Sequence, residues 1–140
     1  GHTGSLSTIH ANTPHDALMR LETLSLMSNV DIPVYVARAQ VASAIDLVVQ
    51  IARFTEDGSR KVTRISEVLG LGEREQYELR DLFESRFQGR ADDGRLMVEL
   101  EPTGRRPTFC AAPYNEGCAH RIAQSAPLWL APGEADEEVS

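Results

Sequence analysis

Residues with possible phosphate chemistry stand near the start of the sequence, where a short apolar run ends in His10. Residues 5–11 have the pattern of a β-strand, and Thr13 followed by Pro14 is a typical helix start. A strand that leads into a helix N-terminus is a common phosphate-binding place in α/β proteins. Because side chains alternate along a strand, Thr8 and His10 are predicted to share one face. A hydrogen-bonded core or capping histidine is the alternative interpretation of His10.

Other polar residues are candidates for the same region. His2 is too far from His10 in the sequence to be its neighbour on a helix, and we expect it to hold the loop or to reach a nearby group. Arg20 and Arg38 carry guanidinium groups, which bind phosphate or carboxylate through two hydrogen bonds. An exposed helical arginine or an ion pair between subunits is the alternative for each. Asn12 is expected to cap the turn or to act in the site.

Two helices followed by strands must position these residues. Apolar residues recur at helical spacing over residues 14–28, and a second helix is predicted from residues 32–33 to residue 44. Alternation and turn residues then predict four strands, at residues 46–55, 60–69, 77–83 and 96–100, with turns at residues 56–59 and 88–95. Asp57 followed by Gly58 is a strong hairpin signal. The apolar run at residues 47–49 is expected to be buried sheet.

The composition predicts one globular domain and argues against some classes of function. The chain has 140 residues, of which 41% are hydrophobic and 25% are charged. Its net charge of -7 argues against nucleic acid as a partner, because phosphate binding needs a surplus of Lys and Arg. We expect neither a membrane span nor a signal peptide. Cys110 and Cys118 are interpreted as reduced thiols of a cytoplasmic protein, without a metal site.

Several segments of the sequence resemble the type II/IV secretion ATPases. Residues 1–12, Gly-His-x-Gly-Ser-Leu-x-Thr-x-His-Ala-Asn, are similar to the "His box" of that family. Residues 103–109, Thr-Gly-Arg-Arg-Pro-Thr-Phe, resemble a motif near the end of the Tad (CpaF-type) pilus-assembly members. The other similar segments are residues 13–23, 32–33, 38–50, 57–63, 65–70 and 79–83. The resemblance covers residues 1–109, and residues 110–140 are expected to form a divergent, loosely ordered acidic tail.

The resemblance implies an α/β fold for residues 1–109, namely the C-terminal half of a RecA-like P-loop NTPase domain. That half has two helices followed by a mainly antiparallel strand and hairpin region. The implied machine is a cytoplasmic homo-hexamer that hydrolyses ATP with Mg²⁺ and works on inner-membrane platform proteins to extrude pilin or export protein. In it His10 would sense the γ-phosphate, with Thr8 donating in parallel. His2, Arg20 and Arg38 would lie near the nucleotide.

The phosphate-binding loop of the resembled family is missing from these residues. The family's Walker A loop, Gly-x-x-x-x-Gly-Lys-Ser/Thr, and its Walker B acid precede the His box, and the sequence contains no Gly-Lys-Ser/Thr string. We therefore expect a C-terminal fragment that alone neither binds ATP tightly nor hydrolyses it. Two alternatives stay open. One is a non-catalytic oligomerisation or regulatory module with this half-fold, and the other is a type II or type IV secretion motor of another branch.

Overall fold

The computed structural model describes residues 4–28 and 31–108 and places two helices ahead of a four-stranded sheet. Helix α1 spans Pro14–Leu26 and helix α2 spans Val34–Ala44. The strands are β1 (Leu47–Arg53), β2 (Arg60–Leu71), β3 (Tyr77–Arg90) and β4 (Leu96–Pro102). Each strand pairs antiparallel with the next one in chain order. The predicted α/β arrangement, two helices followed by antiparallel hairpins, is confirmed.

Helix α1 begins at the residues that predicted its start. Thr13 is the extended cap residue, and its hydroxyl accepts a hydrogen bond from the backbone N–H of Asp16 at 3.0 Å. Pro14 occupies the first turn, where a missing N–H costs nothing. The helix ends at Leu26, two residues before the predicted end.

The turn between β1 and β2 also ties the hairpin to β4. The two carboxylate oxygens of Asp57 accept hydrogen bonds from the backbone N–H of Ser59 at 2.9 Å and from that of Leu96 at 2.8 Å. Gly58 has a φ of 71°, a left-handed conformation that glycine adopts without strain. The Asp-Gly signal therefore predicted the turn correctly, whereas the link to Leu96 depends on a residue far away in the sequence.

The strand predicted at residues 5–11 is wrong. Residues 4–11 carry no regular secondary structure, and Leu6 is 99% exposed. A strand exists only when its backbone groups bond to a neighbouring strand. Within the described residues the sheet consists of β1 to β4, and the segment is not paired to any of them. The apolar alternation was a local signal without a pairing partner.

Strand β3 is longer than predicted. It continues past Phe83 to Arg90 because its second half pairs with all of β4. The turn is confined to residues 91–95, where the Ala91 N–H donates to the Arg95 carbonyl at 2.9 Å. Gln88 and Gly89 suggested a turn, but they lie at a β-bulge, where Gly89 has a φ of 137°. Glycine is favoured at both kinds of site, so its presence did not distinguish them.

The expectation of buried sheet at residues 47–49 is only half right. Val48 packs on the hydrophobic core, but Leu47 is 42% exposed and Val49 is 51% exposed. Antiparallel strands alternate between two faces, and the helices cover the face that carries Val48. The core cluster consists of Leu18, Val41 and Tyr77. Partly buried side chains from both helices and three strands pack around it, namely Leu21, Ala42, Ile45, Val48, Val68, Leu71 and Leu79.

A buried carboxylate connects α1 to α2 and β3. Glu22, which is 5% exposed, accepts hydrogen bonds from Arg38 at 2.9 and 3.0 Å and from the Tyr77 hydroxyl at 3.0 Å. Arg38 also donates to the carbonyl of Glu75 at 3.2 Å. The Arg38 guanidinium lowers the pKa of Glu22 in spite of its burial, and burial together with Glu22 raises the pKa of Tyr77. The ionised form of Glu22 is therefore the native one.

We predict that Glu22→Gln destabilises the fold by about 1–3 kcal/mol, because a neutral amide cannot satisfy both donors of Arg38 and the Tyr77 hydroxyl. The midpoint of urea unfolding measures the change. Glu73→Gln, at an exposed position in the loop before β3, is the matched control and should unfold close to the wild type. Equal midpoints for the two variants would contradict the prediction.

Asp57 predicts a pH-dependent part of the stability. The Ser59 side chain and the backbone N–H groups of Leu96 and Ser59 lower the pKa of Asp57 from 3.8 to about 2. A lowered pKa in the folded state contributes stability above pH 3.8, and this stability is lost as the pH falls toward about 2. Asp57→Asn should therefore be less stable than the wild type at neutral pH, with the difference shrinking through that window.

Urea midpoints measured through the window test this expectation. Asp92→Asn, an exposed aspartate in the turn before β4, is the matched control and should show no such convergence. A constant difference between wild type and Asp57→Asn at every pH would show that the Asp57 carboxylate is not responsible.

Candidate functional site

An open groove of about 490 Å³ lies between the segment before α1 and one side of α1. His10, Asn12 and Arg20 all line it, so three of the residues singled out from the sequence lie at one place. The segment supplies His10, Ala11 and Asn12, and the helix supplies Asp16, Met19, Arg20, Thr23, Leu24 and Met27, which caps its C-terminus. The helical members recur every three or four residues because that spacing repeats one face of a helix.

Thr8 is adjacent to the groove in sequence but is not one of its lining residues. Thr8 and His10 are exposed, whereas Ile9 between them is half-buried. The exposure thus alternates as it would along a strand, although these residues are not part of the sheet. Thr8 and His10 are both open to a ligand from the solvent side.

Gln50 positions the His10 segment and was not found from the sequence. Its side-chain N–H donates to the backbone carbonyl of Ala11 at 3.0 Å, which fixes the residue next to His10 against β1. Gln50 lies on the same face of β1 as Val48, the face that the helices cover. The one signal in the sequence was a glutamine within the apolar run of β1, and nothing in that run indicated its partner.

The groove combines an arginine and a histidine, both hydrogen-bond donors, with one carboxylate. The Arg20 guanidinium and an imidazole N–H of His10 can donate to an anionic oxygen, while the N-terminus of α1 adds a favourable partial charge. Asp16 in the first turn of α1 opposes an anion at that end. These side chains alone therefore provide enough donors for a single phosphate oxygen or a carboxylate group. A whole triphosphate usually also needs a cradle of backbone N–H groups.

Arg38 lies elsewhere. It is held by Glu22 and the Glu75 carbonyl and is not among the lining residues of the groove. The structure thus gives Arg38 an ion pair within the chain, a partner that the sequence did not indicate. Arg64 of β2 is bound to Glu84 at 2.5 Å and lies 3.4 Å from Asp81. His2, Cys110, Cys118 and Trp129 lie outside the described residues.

The comparison with protein families matches residues 1–107 to the family described as Type II/IV secretion system protein. The match covers most of the 140 residues, and the chain belongs to this family. The family resemblance noted in the sequence is thereby confirmed, while the Tad branch and the role of His10 stay predictions. The comparison with curated proteins gives no match. In the part of the chain that the structure describes, neither helix is long and apolar enough to cross a membrane.

We predict that Gln50→Glu releases the His10 segment, because a carboxylate cannot donate to the Ala11 carbonyl. The imidazole signals of His10 in the NMR spectrum should move, whereas those of His15 on α1 should stay. Gln40→Glu, at an exposed position of α2, makes the same chemical change away from the groove and should leave both histidines unchanged. An unchanged His10 signal in folded Gln50→Glu would show that Gln50 does not position it.

Proposed function

We propose that this chain forms part of the motor ATPase of a type II/IV secretion or pilus-assembly machine, acting in the cytoplasm at the inner membrane. The observation that carries the proposal is the shared groove of His10 and Arg20 alongside α1, within the residues that match the family. A histidine and an arginine that face one open groove suit the recognition of a terminal phosphate.

ATP with Mg²⁺ is the proposed cofactor, and it supplies the phosphoanhydride bond whose hydrolysis drives the motor. On this chain, His10 donates an N–H to an oxygen of the terminal phosphate and Arg20 balances its charge. Thr8 is the second donor from the same segment, through its hydroxyl. Gln50 keeps the segment in place through Ala11. His2 remains a proposed neighbour of the nucleotide, whereas Arg38 acts through the orientation of α1 because Glu22 holds it.

The open shape of the groove supports a shared site. Its described lining comes from one short segment and one helix, so other surfaces must enclose a bound nucleotide. We propose that a P-loop on another part of the motor supplies the backbone N–H cradle and the Mg²⁺ ligands, within a homo-hexamer that works on inner-membrane platform proteins. Alone, the chain is then expected to bind ATP weakly and not to hydrolyse it.

The Tad pilus branch is the finer assignment that we propose. Its basis is the Thr-Gly-Arg-Arg-Pro-Thr-Phe segment, part of which is built into the fold. The Thr103 hydroxyl donates to the Asp81 carbonyl at 2.7 Å, Pro107 is buried, and Thr108 is bound to Glu67. The exported cargo of this branch is pilin, whereas a type II or type IV secretion motor would move other substrates.

The decisive experiment places His10→Ala in a motor that includes the coding region upstream of Gly1. If that region encodes a Walker A loop and the protein is a motor ATPase, ATP turnover should fall about 10²-fold or more. This is the usual cost of losing one hydrogen-bond donor to the transition state. His15→Ala is the matched control, since His15 lies on α1 but does not line the groove. It should retain most of the turnover.

Two outcomes would count against the proposal, the first against the role of His10 and the second against the motor itself. Turnover that is unaffected by His10→Ala would remove His10 from the mechanism. An upstream start codon without a Walker A sequence would favour the alternative, a non-catalytic oligomerisation or regulatory module that shares this half-fold.

A further inference from the structure

The face of the sheet opposite the helices carries many apolar side chains, some of which are largely exposed. The register places Val49 beside Ile65, Ile65 beside Phe83, and Phe87 beside Val98. We call this side the outer face, and its apolar members are Leu47, Val49, Ile51, Val62, Ile65, Phe83, Phe87, Val98 and Leu100. Val49, Ile51 and Phe87 are 51%, 57% and 65% exposed. A contiguous apolar surface of this kind is normally covered in a folded protein.

Two polar residues at the centre of the outer face hold the end of the described chain. Glu67 and Arg80 are paired across β2 and β3. Arg80 donates to the Arg106 carbonyl at 3.1 Å, and the Thr108 N–H donates to Glu67 at 2.8 Å, with the Thr108 hydroxyl bound to the same oxygen. After β4 the chain therefore crosses the outer face over β3 and reaches β2 at residue 108.

Thr108, the last described residue, lies beside the most exposed part of this face. Leu47 of β1 is the register partner of Glu67, and Val49 follows two residues along the same side. Neighbouring strands lie ~4.8 Å apart, and an extended chain advances ~3.3–3.6 Å per residue. One or two residues after Thr108 thus suffice to reach β1.

The residues that follow have the composition of a covering segment. Residues 109–131 include Phe109, Ile122 and the run Leu128-Trp129-Leu130, and their charged residues are only Glu116 and Arg121. The acidic residues of the end, Glu134, Asp136, Glu137 and Glu138, come after this stretch. A segment that covers the sheet would end where this apolar composition gives way to acidic residues, because acidic side chains favour solvent.

An unsatisfied oxygen points to the same place. Among residues 4–28 and 31–108, the Oε2 atom of Glu67 is buried and has no hydrogen-bond partner. A buried carboxylate oxygen without a donor is costly, so a donor is expected close by. Thr108 already lies on the other oxygen of the same carboxylate, so the oxygen without a donor is at the end of the described chain.

We infer that residues 109–131 of this chain fold back over the outer face and cover the apolar row of β1. The segment is delivered there by the Glu67 and Arg80 contacts, and its apolar side chains shield Val49 and Ile51 from water. Glu67 is the positioning residue of this arrangement. A second copy of the chain is the competing occupant, and it needs no such delivery.

Photo-cross-linking in the full 140-residue chain identifies the occupant. Val49→p-benzoylphenylalanine should cross-link within the chain to residues 109–131, at a yield independent of protein concentration. The matched control is Val34→p-benzoylphenylalanine, because Val34 on α2 is equally exposed, at 50%, but lies away from the outer face. It should give no cross-link to that segment. Cross-links from Val49 that join two chains and rise with concentration, or no cross-link to the segment, would overturn the inference.

A second measurement uses thiol chemistry. The chain has two cysteines, Cys110 and Cys118, both within the proposed covering segment. Val49→Lys places a charge under the segment and should accelerate the labelling of both thiols by a soluble reagent, with a red shift of the emission of Trp129, the one tryptophan. Val34→Lys should change neither. Wild-type labelling and emission in Val49→Lys, with its circular dichroism unchanged, would contradict the inference.

Discussion

The buried carboxylate of Glu22 is the interaction on which the described structure depends, because it joins three elements that are distant in sequence. Arg38 of α2 and Tyr77 of β3 lie 16 and 55 positions away from it, and both donate to its oxygens. A carboxylate this deeply buried is unfavourable unless its oxygens are paired, so α1 is held in one rotation about its axis. That rotation encloses Leu18 in the core and leaves Arg20 exposed on the groove. The ion pair thus helps to orient α1, and the candidate site depends on that orientation.

Strand β1 serves both surfaces of functional interest because its side chains alternate. Val48 and Gln50 face the helices, where Val48 packs on the core and Gln50 holds the Ala11 carbonyl. Val49 and Ile51 face the other way and form the exposed row of the outer face. A one-residue shift in the register of β1 would therefore disturb the core, the His10 segment and the outer face together. The bulge between Gln50 and Ile51 lies at the point where these roles meet.

The parts of the fold that could be predicted from the sequence are those decided locally. The Thr13 cap and the Asp57-Gly58 turn each bond within a few residues, and each was predicted correctly. The sequence-based predictions were wrong where a partner distant in sequence determines the local structure. Residues 5–11 pair with no strand in the described part of the chain, and Gln88-Gly89 became a bulge because β4 lies beside it. The site divides in the same way. His10 and Arg20 flank the predicted helix start and share a groove, whereas the partners of Gln50 and Arg38 appear only once the chain has folded.

Because the groove is exposed, the strength of its contacts with a phosphate would depend on whether another surface covers it. In water, a contact between a phosphate and an exposed histidine or arginine is weakened by solvent and salt. The same contact strengthens when another surface closes over the groove and excludes water, since the effective dielectric constant falls. Under the proposed function, His10 and Arg20 would therefore bind the terminal phosphate strongly only when a neighbouring part of the motor encloses them. An open, one-sided groove then links nucleotide recognition to assembly, because loss of the phosphate removes the charge that favours the closed arrangement.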